Sequence, residues 1–92
     1  MENYLNNVKE IVHKFRNANM ESASKQVNNA LLAGGTDGER FSIICSLLRT
    51  YEISNPEIYN LVKAPADEML SYAESIRYNI AANFDLLEEL SK

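Results

Sequence analysis

The chain has 92 residues, of which 46% are hydrophobic and 24% are charged. A chain of this length builds one hydrophobic core, and its composition is that of ordinary folded domains, which argues against a disordered chain and against a membrane protein. The net charge of −4 repels phosphate backbones, so a nucleic-acid-binding function is not expected. We therefore predict a single domain over residues 1–92.

The first third of the chain has the spacing of two amphipathic helices. Apolar residues recur at intervals of three or four, which predicts a first helix over residues 2–17 and a second over residues 20–33. The predicted apolar stripe of the first helix consists of Leu5, Val8, Val12 and Phe15, and Ile11 widens it. Gly34-Gly35 predicts the end of the second helix, because glycine adopts the left-handed conformation of a helix C-terminus without steric cost.

A third helix is predicted to begin at Thr36, which forms a capping box with Glu39, and to end near Tyr51 or Glu52. Apolar side chains occupy a broad part of its circumference, so we expect the other helices to pack around it. Its remaining polar strip consists of Ser42, Ser46, Arg49 and Thr50. The sequence Ser54-Asn55-Pro56 predicts the start of a short helix, and Ala64-Pro65 predicts its end or a kink.

The last segment, residues 66–90, has the longest helical pattern in the chain. With Ala66 at heptad position a, the a and d positions are apolar except for Asn83, but the flanking e and g positions are mostly apolar or neutral, unlike those of a two-stranded coiled coil. Such a wide stripe predicts a helix that packs along one broad face of a bundle. The predicted fold is all-α, a compact four-to-five-helix bundle with a long C-terminal helix.

The chain has no recognisable set of catalytic or metal-binding residues. His13 follows Glu10 by three positions, but a di-iron bundle needs two such motifs, and both side chains lie opposite the predicted apolar stripe. With Lys9 and Arg16, His13 forms a modest basic patch. Cys45 is predicted to be a buried thiol. We predict no enzyme activity, cofactor or metal, and the single cysteine and lack of a signal peptide predict a cytoplasmic protein.

Acidic residues are concentrated in the second half of the chain. Residues 1–50 contain six Lys or Arg and five Asp or Glu, whereas residues 51–92 contain three and eight, a charge of −5. Such a surface attracts a basic protein partner. Two clusters of acidic and aromatic residues are the predicted partner sites. The first, on the outside of the last helix, consists of Glu74, Tyr78 and Asp85. The second, at the end of the third helix, consists of Tyr51, Glu52, Glu57 and Tyr59.

The leading hypothesis is a non-enzymatic module that binds a basic protein through its acidic C-terminal half. Its size, acidity and helicity, and a short segment with Tyr59 between two longer helices, resemble those of the small immunity proteins that neutralise bacterial nuclease toxins. The resemblance implies an inhibitor. The paired-tyrosine motif of the colicin nuclease inhibitors is absent, so no binding residue is carried over.

Two alternative functions remain open at the level of the sequence. One is a homo-oligomeric structural or regulatory protein, for example a homodimer, in which the last helix pairs across a two-fold axis and Asn83 sets the register. The other is an enzyme or ligand-binding bundle with a polar internal pocket, for which Asn83 is the candidate residue.

Overall fold

A computed structural model describes residues 3–92, which form six α-helices and no β-strand. The helices are α1 (Tyr4–Asn17), α2 (Glu21–Ala33), α3 (Asp37–Ser54), α4 (Pro56–Leu61), α5 (Lys63–Ser75) and α6 (Asp85–Glu89). The predicted all-α class is confirmed. None of the helices in residues 3–92 combines the length and the apolar character that a bilayer crossing requires.

The longest helix is α3, which packs against α2, α4 and α5. Its start is capped as predicted, with Thr36 Oγ1 accepting a hydrogen bond from Glu39 N at 3.1 Å. The Glu39 carboxylate accepts a hydrogen bond from Gly35 N instead of completing the box at Thr36. Five of its side chains are completely buried, namely Ile44, Cys45, Leu47, Leu48 and Thr50. This helix therefore supplies a large part of the core around which the others pack.

The buried face of α1 is rotated from the predicted stripe. Its buried side chains are Tyr4, Val8, Ile11 and Phe15. Leu5, which was predicted to be in the stripe, is 46% exposed. The rotation brings Tyr4 into the core, where it packs edge-on against Phe41 with ring centroids 5.5 Å apart, while Phe15, which lies in both faces, packs against Tyr51 at 5.9 Å.

Gly34 ends α2 in an extended conformation, with φ −92° and ψ 144°, and not in the predicted left-handed one. Glycine is required here by a close approach of two segments. A Cβ atom on Gly34 would lie 2.7 Å from Arg40 N, which is closer than van der Waals contact allows. The Gly34 carbonyl oxygen accepts a hydrogen bond from Arg40 Nε at 3.2 Å.

The prediction of a long C-terminal helix over residues 66–90 is wrong. Helix α5 begins at Lys63, with Pro65 in its first turn, where no backbone N–H is needed, and it ends at Ser75. Residues 76–84 then cross α3 without forming a helix. The polar strip of α3 binds this crossing segment. Ser46 Oγ donates to Ala81 O at 2.7 Å, and Asn83 N donates to Thr50 Oγ1 at 2.9 Å.

These hydroxyl contacts explain why a continuous helix does not form. A helix uses its own N–H and C=O groups internally, so it would leave the α3 hydroxyls without these backbone partners. Asn83 does not lie in a helix seam. Its side chain accepts a hydrogen bond from Asp85 N at 3.1 Å at the start of α6. The homodimer alternative required a continuous helix over residues 66–90, and this fold does not contain that helix.

Helices α1 and α5 end in turns of the same type. A residue with φ 60° follows each helix, Asn19 after α1 and Arg77 after α5. The next residue donates its N–H to the carbonyl oxygen five positions back, at 2.8 Å after α1 and 2.9 Å after α5. This is the hydrogen bond of a Schellman motif. In α5 it fixes the position of Tyr78.

Gln26 of α2 connects α3 to the C-terminal segment. Its side-chain oxygen accepts a hydrogen bond from the Tyr51 hydroxyl, and its Nε2 donates to Leu87 O and Ser91 Oγ, each at 2.8 Å. Asn29 Nδ2 adds a hydrogen bond to Leu90 O at 2.6 Å. Across residues 3–92, every buried side-chain nitrogen and oxygen has a hydrogen-bond partner. The buried polar groups therefore form a satisfied network.

Candidate functional site

The second predicted cluster is not an aromatic surface. Tyr51 is 2% exposed, and Tyr59 is 3% exposed with its hydroxyl donating to Asp67. Burial is the largest cause of a raised pKa in both phenols. Glu52 is partly buried and Glu57 is exposed. Both rings belong to the core, which corrects the expectation of an aromatic-acidic surface at the end of α3.

Two of the predicted carboxylates share one guanidinium group. Arg49 Nη1 lies 2.5 Å from Glu52 Oε1, and Nη2 lies 2.9 Å from Glu74 Oε1. The hydrogen bond with Glu52 is the main cause of a raised Arg49 pKa. This bridge joins α3 to the end of α5. Within residues 3–92, the carboxylates of the second half that form no salt bridge are Glu57, Glu68, Asp85, Glu88 and Glu89.

Tyr78, the aromatic residue of the first predicted cluster, lies at an aromatic pocket. The tyrosine is 43% exposed and lies in the turn after α5 instead of on a helix face. Its ring centroid is 6.3 Å from that of Phe41 in α3. Tyr4 of α1 and Tyr72 of α5 pack edge-on against Phe41, at 5.5 Å and 6.0 Å. Rings from three helices and one turn therefore converge.

The aromatic pocket has a volume of about 280 Å³, and Asp37, Gly38 and Ile76 also line it. Asp37 is the first residue of α3 and its side chain is 80% exposed. Its Oδ1 lies 3.1 Å from Arg40 Nη1 and accepts a 3.5 Å hydrogen bond from the Tyr4 hydroxyl. Burial, and then the charge of Asp37, raise the pKa of Tyr4.

The chemistry of this pocket suits a positively charged side chain. Aromatic faces attract cations, and the Asp37 carboxylate adds an ionic partner. The long carbon stems of Lys and Arg also pack well against aromatic surfaces. The ion pair between Asp37 and Arg40 lies in solvent, where such pairs contribute about 0–1 kcal/mol, so a ligand cation can replace Arg40 at little cost.

Sequence reasoning named Tyr78 but missed the three rings around it. On a continuous helix, Tyr72 and Tyr78 would point in different directions, because six residues correspond to roughly 600° of rotation. The left-handed residue Arg77 reverses the chain and brings Tyr78 to Phe41. The first turn of α1 and the second turn of α3 carry no local signal of this contact.

The side chains that were considered for catalysis or metal binding, Glu10, His13 and Cys45, lie outside the aromatic pocket. Glu10 and His13 are exposed, Glu10 pairs with Lys14 at 3.4 Å, and His13 Nε2 lies 3.2 Å from Asn17 Nδ2. Cys45 is completely buried, and burial raises its pKa to about 12. Within the described part of the chain, no three His, Cys, Asp or Glu side chains form a group that could hold a metal ion.

Comparisons with protein-family models, with curated proteins and with solved structures find no match to this chain. The candidate site therefore rests on the geometry of its own residues.

Proposed function

We propose that this protein is a non-enzymatic binding module that holds a basic segment of another protein, with a Lys or Arg side chain of the partner in the aromatic pocket. The observation that carries the proposal is the meeting of four aromatic rings, of which Tyr72 and Tyr78 reach the surface, with the exposed Asp37 carboxylate. A cation placed against such faces gains about 0.5–2 kcal/mol, depending on how far it is desolvated.

The charge of the chain supports a basic partner. Residues 51–92 carry a charge of −5, and Asp85 and Glu57 are exposed. A net negative field raises the rate of association with a positive protein and leaves the pocket to provide the short-range contacts. Glu74 and Asp85, which were predicted as direct contacts, contribute to this field, and Tyr78 is the contact residue of the first predicted cluster.

An inhibitor of the immunity type is the form of this function that agrees best with a small, acidic, helical chain. In this proposal the protein acts in the cytoplasm, where a free thiol such as Cys45 persists. Its target is a protein with an exposed basic surface, such as a nuclease toxin. Affinity capture from the native host, followed by mass spectrometry, would identify that target, and it should be basic.

The pocket itself is tested by titrating the ¹⁵N- and ¹³C-labelled protein with a lysine-rich peptide and with a glutamate-rich peptide of equal length. We expect the lysine-rich peptide to shift the ring resonances of Tyr72, Tyr78 and Phe41. Tyr78→Ala should abolish the shifts of Tyr72 and Phe41, and Asp37→Asn, which keeps all four rings, should weaken binding. Ile53→Ala removes a hydrophobic side chain that is 59% exposed and does not line the pocket, so it is the matched control. Equal shifts of these pocket ring resonances with both peptides would contradict the proposal.

A further inference from the structure

A groove between α1 and α2 lies outside the aromatic pocket. Its lining combines Leu5 and Lys9 from the start of α1 with Leu31 from the end of α2, whereas Arg16 from the end of α1 adjoins Glu21 from the start of α2. The two helices are therefore antiparallel. The groove has a volume of about 350 Å³.

The apolar side chains of the groove are the ones that the rotation of α1 leaves outside the core. Leu5 is 46% exposed, and Val12 and Leu31 are partly buried. Leu32, which follows Leu31 at the end of α2, is 83% exposed. Leucine and valine side chains therefore remain partly uncovered among the charged and polar residues that line the groove, and contiguous uncovered apolar side chains are typical of binding surfaces.

The edges of the groove are basic, in contrast to the chain as a whole. Lys9 and Arg16 line it, and Lys25 adjoins Arg16 at one end. Within residues 3–92 none of these three cations forms a salt bridge. Glu21 is the carboxylate that faces Arg16 and Lys25, so three cations and one anion give a local charge of +2. The chain as a whole carries −4.

We infer that this groove binds an acidic amphipathic helix of a partner protein. The apolar face of that helix contacts Leu5, Val12 and Leu31, and its carboxylates pair with Lys9, Arg16 and Lys25. The distance along α1 from Leu5 to Arg16 is about 16 Å, which matches about three turns of a bound helix. This surface is separate from the aromatic pocket and has the opposite charge, so it takes a different partner.

A partner helix fits these observations better than a membrane or a second copy. The apolar strip lies between two helices with charged residues beside it, and a concave strip receives a rod better than it enters a flat bilayer. The acidic helix of a second copy, α6, packs Leu86 and Leu87 and buries Leu90 against its own core, so its apolar face is already covered.

The probe for the test is a fluorescein-labelled peptide of about four turns with leucines at i, i+4, i+7 and i+11 and glutamates beside them. One matched peptide replaces the glutamates with lysines, and another replaces the leucines with serines. Fluorescence anisotropy with the full chain should show the acidic amphipathic peptide binding at least about tenfold more tightly than either, a difference that the assay resolves easily. Added salt should weaken binding.

Variants of the protein then locate the binding surface. Arg16→Glu and Lys9→Glu should each weaken binding severalfold, whereas Lys92→Glu, the same charge change at the C-terminus, should have little effect. Tyr78→Ala should leave this binding unchanged, which separates the groove from the aromatic pocket. Circular dichroism in urea checks that each variant is folded.

Several outcomes would overturn the inference. Failure of the acidic peptide to bind is one, and equal effects of Arg16→Glu and Lys92→Glu are another, because these would indicate only a general charge effect. If sedimentation shows a dimer that Arg16→Glu dissociates, the groove belongs to a second copy. Tighter binding to vesicles that contain phosphatidylglycerol than to the peptide would assign it to a membrane.

Discussion

Gly34 and Gly38 lie on either side of the start of α3 and have different surroundings. A Cβ atom on Gly34 would meet the backbone of Arg40 at 2.7 Å, whereas one on Gly38 would meet the Tyr78 hydroxyl at 3.6 Å, an ordinary contact. Neither glycine has a positive φ. Glycine is therefore required at the first position by its surroundings, but not at the second.

Alanine should have opposite effects at these two positions. Gly38→Ala should stabilise the protein by about 0.5–1 kcal/mol, because alanine loses less backbone entropy than glycine when a helix forms. Gly34→Ala should destabilise it by about 1–3 kcal/mol, because the methyl group forces the end of α2 away from α3. Urea unfolding followed by circular dichroism measures both. Effects of the same sign would contradict the geometry at Arg40.

At the scale of the helices, the end of α5 depends on Arg77, which has φ 60°. The left-handed conformation costs a residue with a side chain roughly 1–2 kcal/mol, and glycine avoids this cost. We expect Arg77→Gly to stabilise the protein by about 0.5–1 kcal/mol and Arg77→Val to destabilise it, since branching at Cβ makes this conformation worse.

The equivalent turn after α1 provides the control for this prediction. Asn19 has the same φ, but asparagine tolerates the left-handed region, so Asn19→Gly should change stability by only a few tenths of a kcal/mol, about the spread of surface substitutions. The free energy of unfolding in urea is the measurement. A gain from Asn19→Gly equal to that from Arg77→Gly would show that the left-handed arginine is not strained.

The start of α3 and the end of α5 show which helix boundaries can be predicted from the sequence. The start of α3 was predicted because Thr36 accepts its capping bond from a residue three positions away. The end of α5 was missed because Arg77 is neither glycine, asparagine nor proline, and the apolar spacing continues past it. The groups that prevent a longer helix are distant in sequence, since Thr50 and Ser46 bind the backbone of residues 81–83. Hydrogen bonds between segments more than thirty residues apart leave no periodic signal.

The candidate site divides in the same way. The exposure of Tyr78 was predicted from the outer face of a last helix that does not extend this far, and its grouping with Tyr4, Phe41 and Tyr72 requires three helices and a turn to be in place. Tyr51 was misplaced because the acid that follows it suggested a surface, whereas its hydroxyl has a buried partner in Gln26.

At the scale of the whole molecule, the thiol of Cys45 reports on the integrity of the core. It is 0% exposed, and burial raises its pKa from 9.0 to about 12. The folded state therefore holds this proton more tightly than the unfolded state. The resulting contribution to stability is complete below the unfolded pKa and is lost as the pH rises from there through the folded value.

We expect a disulfide reagent such as DTNB to react with native Cys45 at least about a thousandfold more slowly than with the urea-unfolded chain, since a reagent reaches this thiol only when α3 is released. Absorbance of the released thionitrobenzoate gives the rate. The slowing should decrease in parallel with the free energy of unfolding as urea is added. A native rate close to the unfolded one would show that α3 opens locally.

The whole molecule also presents two separate surfaces of opposite character. The aromatic pocket at the start of α3 suits a cation, and the groove between α1 and α2 has basic edges. If both are occupied at once, the protein is an adaptor between a basic and an acidic partner. Measured with one peptide at a time, Tyr78→Ala should weaken only the lysine-rich peptide and Arg16→Glu only the acidic one, because no lining residue is shared between the two surfaces.

The hydrogen bonds of Gln26 help to set the register of α6 against the rest of the protein. Between Asp85 and Glu89 this helix has no fully buried residue, and the packing of Leu86 and Leu87 against the core is only partial, so burial alone fixes its alignment weakly. Apolar surfaces tolerate sliding, whereas an amide that must accept from Tyr51 and donate to Leu87 and Ser91 at the same time is satisfied in a single register. Gln26 therefore sets the register of the C-terminal segment together with Asn29, whose Nδ2 donates to Leu90 O. Replacing Gln26 with leucine would remove its two hydrogen bonds to the C-terminal segment and leave the Tyr51 hydroxyl without its buried acceptor.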